Sequence, residues 1–576
     1  MMMLRFVAVL ACAGVVAAQG PGGARAGSSA SLRNYKQTTG HAKQTTGITN
    51  QKTGNYKEIG EGKRPMTFAD LMAMKRVSDP QISPSGKWVM FSVTDVSLEK
   101  NTKVNHLWLV GLGGGGGTNA GILRSAQNDK QKDGGERQIT FGDGESNGRF
   151  SPDGKTISLT RKDQIFEMPW DEAAGTAGAP IQLTNVAGGA DGAIWSPDSK
   201  RLMFVAGVYP ECSVKGGGRA SVDPTLSDRG GGTVAWAGAE ATWAEEDACD
   251  KARDEAAEKS PVKAQVWDAL LYRHWDHYTG LKRSHVLVVS AMDGNLVRDL
   301  TPASVVGDAE TPTFSLGGPV GYAWAPDSKE IAYVTNLDKV PAASTNNDVF
   351  TLRLDEAGAK AVKVSTSPGS DDGPAYSLDG KWLAFRSQAR GGFESDKFRL
   401  MLFDREKKTI KEALQQWDGW VDEFTWAPDS ARLYFATGHQ GREPVYEADV
   451  SGLIAGTVSG LVQSGEFGDL RISPDGKVLV MSGMRADVPS AIVSMPVDMP
   501  TDSLALLEHV NDATLAALEL KPLEPFWFTG AEGTKVQGFL LKPPGFDPAK
   551  KYPVKFLMHG GPSGAGNGNL PLSPGP

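Results

Sequence analysis

Apolar residues in this chain recur mostly at every second position, in short runs separated by Gly, Pro, Asp and Ser. That alternation predicts half-buried β-strands joined by turns. Seven copies of one phrase carry it: ISPSGKWVMFS from Ile82, FSPDGKTISLT from Phe150, WSPDSKRLMFV from Trp195, WAPDSKEIAYV from Trp324, YSLDGKWLAFR from Tyr376, WAPDSARLYFA from Trp426 and ISPDGKVLVMS from Ile472. Each has a large apolar residue, a small one, a Pro-Asp-Gly type turn, a mostly basic position, and then alternating apolar residues. Proline presets φ at the first corner, the Asp side chain bonds nearby amides, and Gly or Ser tolerates the exit geometry. The phrase therefore joins two antiparallel strands. Behind each copy come a further apolar strand, a polar turn and a last strand, as in HLWLV with RQITF, HVLVV with DGNLVRDLT, and DVFTL with KAVKVST.

Four short strands repeated at roughly 45 residues per unit is the pattern of propeller blades. The predicted fold class is all-β: a seven-bladed β-propeller over residues 65–524. The stretch from Pro197 to Pro326 is too long for one blade, yet holds only one strand pair of the second kind, around His285 to Thr301. It is read as one blade with an insertion at about residues 240–283. Within it AEEDACDKARDEAAEKSPVK, residues 244–263, predicts a helix broken near Pro261, and helical spacing runs on through Val266, Leu270 and Leu271.

After Glu508 the repeat stops. Phe526-Trp527-Phe528, a turn at Ala531-Glu532-Gly533, and the run from Val536 to Leu541 predict a β-hairpin. Residues 552–558 read as a buried strand that ends in His559-Gly560-Gly561-Pro562. A strand running into a glycine pair suits a loop whose amides approach a ligand oxygen closely.

Composition changes the picture in few places. With 60 basic against 68 acidic side chains the net charge is -8, which offers no footprint for a polyanion, so nucleic acid is excluded as a partner. The 69 glycines agree with a turn-rich fold. Arg5 precedes an apolar run from Phe6 to Ala18, read as an export signal over residues 1–18; a lipoprotein cleavage site at Cys12 is the alternative. The run is shorter than the ~20 residues of a membrane-spanning helix, and no other segment is long and apolar enough. The expected location is periplasmic or extracellular. Residues 19–64 and 563–576 are polar or glycine- and proline-rich and are expected to be disordered. Export would let Cys212 and Cys249 bridge, while two unpaired thiols remain open at this level, because sequence does not fix their separation.

An export signal, a repeat-built propeller and a strand ending in HGGP together resemble the prolyl oligopeptidase family of serine peptidases, especially its acylaminoacyl peptidase and dipeptidyl peptidase V-like branch. The likeness covers residues 65–562, with TFADLMAMKRVSDPQISPSGKWVMFS similar to that branch's entry into the first blade and LLYRHWDHYTGLKRSHVLVV similar to its segment after the helical insertion. The resemblance implies a propeller capping an α/β-hydrolase domain and filtering substrates to short peptides. Residues 525–562 would be the first strands of that domain, incomplete here, and Gly561 would supply an oxyanion-hole amide. It implies no cofactor.

The chain departs from the family in its chemistry. The only Gly-x-Ser-x-Gly match, Gly144 to Gly148, lies far upstream of HGGP with no helix after it and reads as a chance match in a polar loop. Residues 563–576 offer no nucleophile with a base in reach. The histidines, His285 among them, are expected to be satisfied structural groups, and His274 and His277 lack the helical zinc pattern, so no metal is expected. Arg273, Trp275 and Asp276 combine groups that suit the termini of a short peptide, and are the candidate substrate contacts. Two readings follow: a serine exopeptidase or oligopeptidase shorn of its nucleophile and inactive as written, or a non-catalytic periplasmic propeller that binds or scaffolds.

Overall fold

The computed structural model describes most of residues 62–557 together with 9–10. Outside the described residues lie 1–8, 11–61, 115–134, 220–235, 314–320, 451–456, 500–502, 558–576 and scattered single positions. The export signal with Cys12, most of the polar leader, the HGGP loop with Gly561, the last residues, and Trp275 and Asp276 fall there, save for Val9 and Leu10.

Seven sheets of at least four antiparallel strands follow one another along the chain, one for each repeat of the turn phrase. The innermost strands are Arg76–Ile82, Ser146–Phe150, Asp191–Trp195, Tyr322–Trp324, Asp371–Tyr376, Glu423–Trp426 and Glu466–Ile472. Each opens its sheet, and the others follow outward in chain order. This is a seven-bladed β-propeller.

The turn phrase does more than reverse the chain. Within it the Ser hydroxyl donates to the Asp carboxylate at 2.6 Å in four blades, Ser151 to Asp153, Ser196 to Asp198, Ser377 to Asp379 and Ser473 to Asp475. The same carboxylates accept from the amides of Lys155, Lys200, Lys381 and Lys477, and these bonds hold the four carboxyls or their neighbours in a rigid corner. Where the phrase reads PDS, the serine takes the left-handed exit conformation, with φ of 59° at Ser199, 60° at Ser328 and 57° at Ser430. A non-glycine residue there is strained. Its hydroxyl offsets the strain by accepting the amide of the Asp in an earlier blade's turn: Ser199 from Asp153, Ser328 from Asp198 and Ser430 from Asp379, each at 3.0 Å.

The large residue that opens the phrase makes a parallel set of joints. The indole N–H of Trp195 donates to Arg149 O at 3.1 Å, that of Trp324 to Ile194 O at 3.3 Å and that of Trp426 to Ala375 O at 3.1 Å. In each case the acceptor belongs to the preceding blade's inner strand. Tryptophan is thus chosen for its bulk and its one donor together.

Seven apolar clusters fill the gaps between consecutive blades. On the second strand of the third blade, Arg201–Val208, Leu202 and Phe204 pack toward the second blade while Met203 packs toward the fourth. Successive side chains of a strand face opposite ways, so a strand covered on both faces must be apolar throughout. This is why the second strands read RLMFV or WLAF rather than in strict alternation. Burying each large side chain stabilises by about 1.5 to 3 kcal/mol.

Among the described residues no strand is shared between the first and last blades. They meet through Val77, Phe91, Val93, Val480, Ile492 and Leu507, and through the Ser490 hydroxyl donating to Val77 O.

The insertion leaves the third blade between Arg201–Val208 and Arg283–Ser290. Its helix is Trp243–Lys259, capped by Thr242 and ended at Ser260. The expected helical continuation does not form at Val266 and Leu270, and Leu271 lies outside the described residues. Pro261 lacks the donor to carry the ladder on, and Val266 and Leu270 are exposed, with no surface to hold an amphipathic stripe. Past it comes a two-residue ribbon, Arg273–His274 against His277–Tyr278. Cys212 and Cys249 are disulfide-bonded with Cα atoms 5.6 Å apart, tying the helix to the turn Pro210–Ser213.

The described residues of 66–516 form one compact unit, and those of 62–65 with 517–557 belong to a second. In the second unit the strand Glu524–Thr529 pairs with Lys535–Leu540 through a turn at Ala531–Gly533. The buried strand expected over residues 552–558 is not formed in the part that is described: residues 551–556 have no strand pairing, and Val554 and Phe556 are exposed at 81% and 42%. A lone apolar strand without a sheet partner leaves its backbone groups to water.

Candidate functional site

The inner strands carry a second regularity. Five of them break register, between Ser78 and Gln81, Ser146 and Arg149, Asp191 and Ile194, Asp372 and Ala375, and Gly468 and Arg471. At each break one residue has positive φ: Asp79 53°, Asn147 52°, Gly192 67°, Gly373 62° and Asp469 56°. Each stands three residues before the large apolar residue of the turn phrase. These are β-bulges, which bend a strand and re-aim side chains. Gly, Asn and Asp are the residues that tolerate the conformation. At Gly192 the fit is also steric, since a Cβ would stand 2.5 Å from the Tyr322 hydroxyl.

What the bulges aim is a chain of polar contacts from blade to blade. Glu423 accepts the amides of Asp469 at 2.7 Å and Leu470 at 2.8 Å. Asp469 accepts the amide of Asp79 at 3.3 Å, and Asp79 pairs with Arg149 at 2.7 Å while accepting from Gln81 at 2.8 Å. Asn147 and Thr160 both donate to Asp191. The Tyr322 hydroxyl donates to Gly192 O. In the fifth blade Arg386 grips Asp372 through two bonds of 2.7 and 2.8 Å and also reaches Asp422 O at 2.6 Å in the sixth.

The inner strands are acidic. Asp79, Asp191, Asp371, Asp372, Glu423, Glu466 and Asp469 stand against Arg76, Arg149 and Arg471. Crowding and burial raise proton affinity here. Burial, with the charges of Asp422, Glu466 and Glu423 beside it, pushes the Glu443 carboxyl up to about 9. Asp371, fully buried, is pushed up to about 7, chiefly by burial, with the charges of Asp348 and Asp372 adding to it. It lines a cavity of about 270 Å³ with Ser367, Phe385, Ser387, Arg399 and Met401. A ring of excess negative charge favours the cationic end of a ligand and disfavours anions.

The expected contacts are only partly in view. Arg273 lies exposed on the two-residue ribbon, while its expected companions Trp275 and Asp276, and the oxyanion residue Gly561, lie outside the described residues. The Gly-x-Ser-x-Gly match is no polar loop. Ser146 starts the second inner strand, Gly148 is packed against Leu107 and Met90, and Glu145 is buried, pairing with His106 at 2.9 Å. A nucleophile elbow needs an exposed serine on a strand-to-helix turn. Three imidazoles pair with carboxylates, His106 with Glu145, His285 with Asp299 and His509 with Asp512. No bond from a serine hydroxyl accompanies any of them among the described residues. The expectation that His285 is fully satisfied fails, because its Nε2 is buried and unpartnered.

No protein-family profile matches the chain. Dipeptidyl-peptidase 5 of Porphyromonas gingivalis is 26% identical over 513 residues, which is 87% of this chain and 64% of that protein. Dipeptidyl-peptidase 5 of Arthroderma otae is 25% identical over 335 residues, 55% of this chain and 46% of that protein. The chain thus spans about half to two-thirds of the length of the curated relatives it matches. Among solved structures, the acylaminoacyl peptidase of Pyrococcus horikoshii superposes with a TM-score of 0.54 at 14% identity, covering 82% of this chain and 58% of that one, which shows a shared fold. In sequence the chain is thus similar to dipeptidyl-peptidases 5, and in bladed architecture to an acylaminoacyl peptidase, in line with the expected resemblance to the prolyl oligopeptidase family of serine peptidases.

Proposed function

We propose that this chain is the substrate-admitting part of an exported serine peptidase that acts on short peptides, and that residues 1–576 by themselves hydrolyse nothing. The observation that carries the reading is the reach of the likeness to the Porphyromonas gingivalis dipeptidyl-peptidase 5. Its 87% of the chain is more than residues 66–516 amount to, so the match extends beyond the propeller. A stand-alone propeller has no use for the hairpin of Glu524–Thr529 and Lys535–Leu540 or for apolar residues left exposed after it. The acidic inner strands support a ligand with a free amino group, as a short peptide has. The Cys212–Cys249 bond supports an oxidising, periplasmic or extracellular location. Inactivity rests on the described residues, where no serine is bonded to a carboxylate-paired histidine.

The second reading, a propeller that binds peptides without cleaving them, is favoured by the same lack of a triad. One experiment separates them from an active enzyme. The purified chain is offered dipeptide and acyl-peptide amides and a serine-directed fluorophosphonate probe. No turnover and no labelling are expected. Turnover abolished by the probe overturns the claim of inactivity. Binding of a short peptide that is lost when its amino group is acetylated supports the acidic ring as the admitting surface, and equal binding of both forms rejects it.

A further inference from the structure

The insertion helix Trp243–Lys259 has an unusual buried face. Its only buried side chains are Glu246 and Asp250, one helical turn apart. Facing them from the third blade are His285, on Arg283–Ser290, and Asp299, on the outer strand Arg298–Asp299. His285 is fully buried, and its Nδ1 pairs with Asp299 Oδ2 at 2.6 Å. Glu246, His285 and Asp299 each offer a ligand atom, and these atoms all lie within 4.8 Å of one another. Asp250, with one oxygen accepting the Tyr209 amide at 2.9 Å, is close enough to bear electrostatically on both Glu246 and His285.

Three atoms of this cluster are sealed from solvent and without a hydrogen-bond partner: Glu246 Oε1, Asp250 Oδ2 and His285 Nε2. Leaving such an atom unpaired inside the protein is destabilising. Their chemistry is shared. With Nδ1–H given to Asp299, the imidazole turns a lone pair outward at Nε2, and the two carboxylate oxygens carry lone pairs as well. Several electron-pair donors gathered in a dry place, where the nearest cation, Lys282, is held by Asp254 at 2.7 Å and acts on Asp250 only through its charge, call for a cation. A carboxylate behind a histidine is the usual support for a metal-bound imidazole. One nitrogen with carboxylate oxygens suits Zn²⁺ or a similar transition ion better than Ca²⁺ or Mg²⁺, which prefer oxygen alone.

We propose that Glu246 and His285, with Asp299 holding the imidazole through Nδ1 and Asp250 as a further carboxylate nearby, form a site for a divalent transition-metal cation, Zn²⁺ by its donor set, that pins the insertion helix to the third blade. The residues of the site come from a helix and two strands separated by long stretches of chain, so no sequence motif announces them. The competing occupant is a proton shared between Glu246 and Asp299.

The test uses the full chain, stripped with a chelator and titrated with ZnCl₂ by calorimetry, with metal content measured after gel filtration and Tm followed with and without Zn²⁺. Glu246→Gln is the key variant, since it keeps the side chain's shape and supplies a donor toward Asp299 while removing a ligand. The wild type is expected to retain one more Zn²⁺ than Glu246→Gln and to gain Tm on adding it. The variant's Tm in chelator should match the wild type's, and its affinity at this site should fall by at least about 10-fold. His285→Ala should lose the same ion if it folds. Equal Zn²⁺ content and Tm response in wild type and Glu246→Gln overturn the proposal. So does a wild type that retains no Zn²⁺, which leaves the shared proton as the occupant, or one that responds to Ca²⁺ and not to Zn²⁺.

Discussion

The side-chain amide of Asn511 satisfies the whole peptide group of Lys75: its Oδ1 accepts the Lys75 amide at 2.8 Å and its Nδ2 donates to the Lys75 carbonyl at 2.9 Å. One residue follows the last blade and the other precedes the first, so the pair imitates a rung of sheet where no sheet spans the seam. Replacing Asn511 by Ala leaves two part-buried backbone groups without partners. The expected loss is about 1 to 3 kcal/mol, read as a lower urea midpoint. An unchanged midpoint would mean that apolar packing alone closes the ring.

Arg386 and Asp372 are both buried and joined by two hydrogen bonds, with the guanidinium also over the Phe398 ring at 4.4 Å. Arg386→Ala strands a carboxylate in the interior and is expected to cost about 3 to 5 kcal/mol. The double variant with Asp372→Asn should recover part of that loss. Thermal unfolding of the four proteins of the cycle measures the coupling directly.

Asp371 makes stability depend on pH in a defined direction. A carboxyl whose folded value lies near 7, above an unfolded value of about 3.9, contributes stability at low pH that is lost as pH climbs through that interval. Asp371→Asn removes the titration. It is expected to stabilise the protein at pH 8 relative to wild type, by up to a few kcal/mol, and to make little difference at pH 4. A wild-type stability profile as steep as the variant's between those values would refute this.

The Cys212–Cys249 bond closes a loop with a sequence separation of 37, for which chain entropy gives a stabilisation of roughly 3 to 4 kcal/mol. The variant with both cysteines changed to Ser should melt earlier than the oxidised protein. Added reductant should lower the wild-type Tm toward that of the variant and leave the variant unmoved.

Limited proteolysis should cut after about Glu524 and spare residues 66–516. Val554 and Phe556 are exposed and residues 551–556 lack strand pairing, whereas the inner and second strands of every blade are stitched to neighbours. Protection up to residue 557 would point to a partner surface there.

The blade count, the insertion and the hairpin after Glu508 could be read in the sequence because their signals are local: a turn phrase and the apolar runs on either side of it. The meaning of the serine in PDS could not, since Ser199 answers to Asp153, and that contact exists only once two blades stand side by side. The bulge residues Asp79, Asn147 and Asp469 had a signal that was there to use, a Gly, Asn or Asp three places before six of the seven large residues, Glu423 holding that place before Trp426. Spacing misled where it lacked a surface to serve, as at Val266 and Leu270. The cluster of Glu246, His285 and Asp299 was hidden for the opposite reason, its members being ordinary residues until the helix docks. Gly561, Trp275 and Asp276 stay outside the described residues, so the oxyanion amide rests on the resemblance and the peptide contacts on residue type.

Because every blade is completed from its own continuous stretch of chain, the toroid has no structurally privileged starting point. Joining the last repeat to the first by a linker and opening the chain between any other two would preserve every sheet, so the order of blades is a fact of ancestry and not a requirement of the architecture.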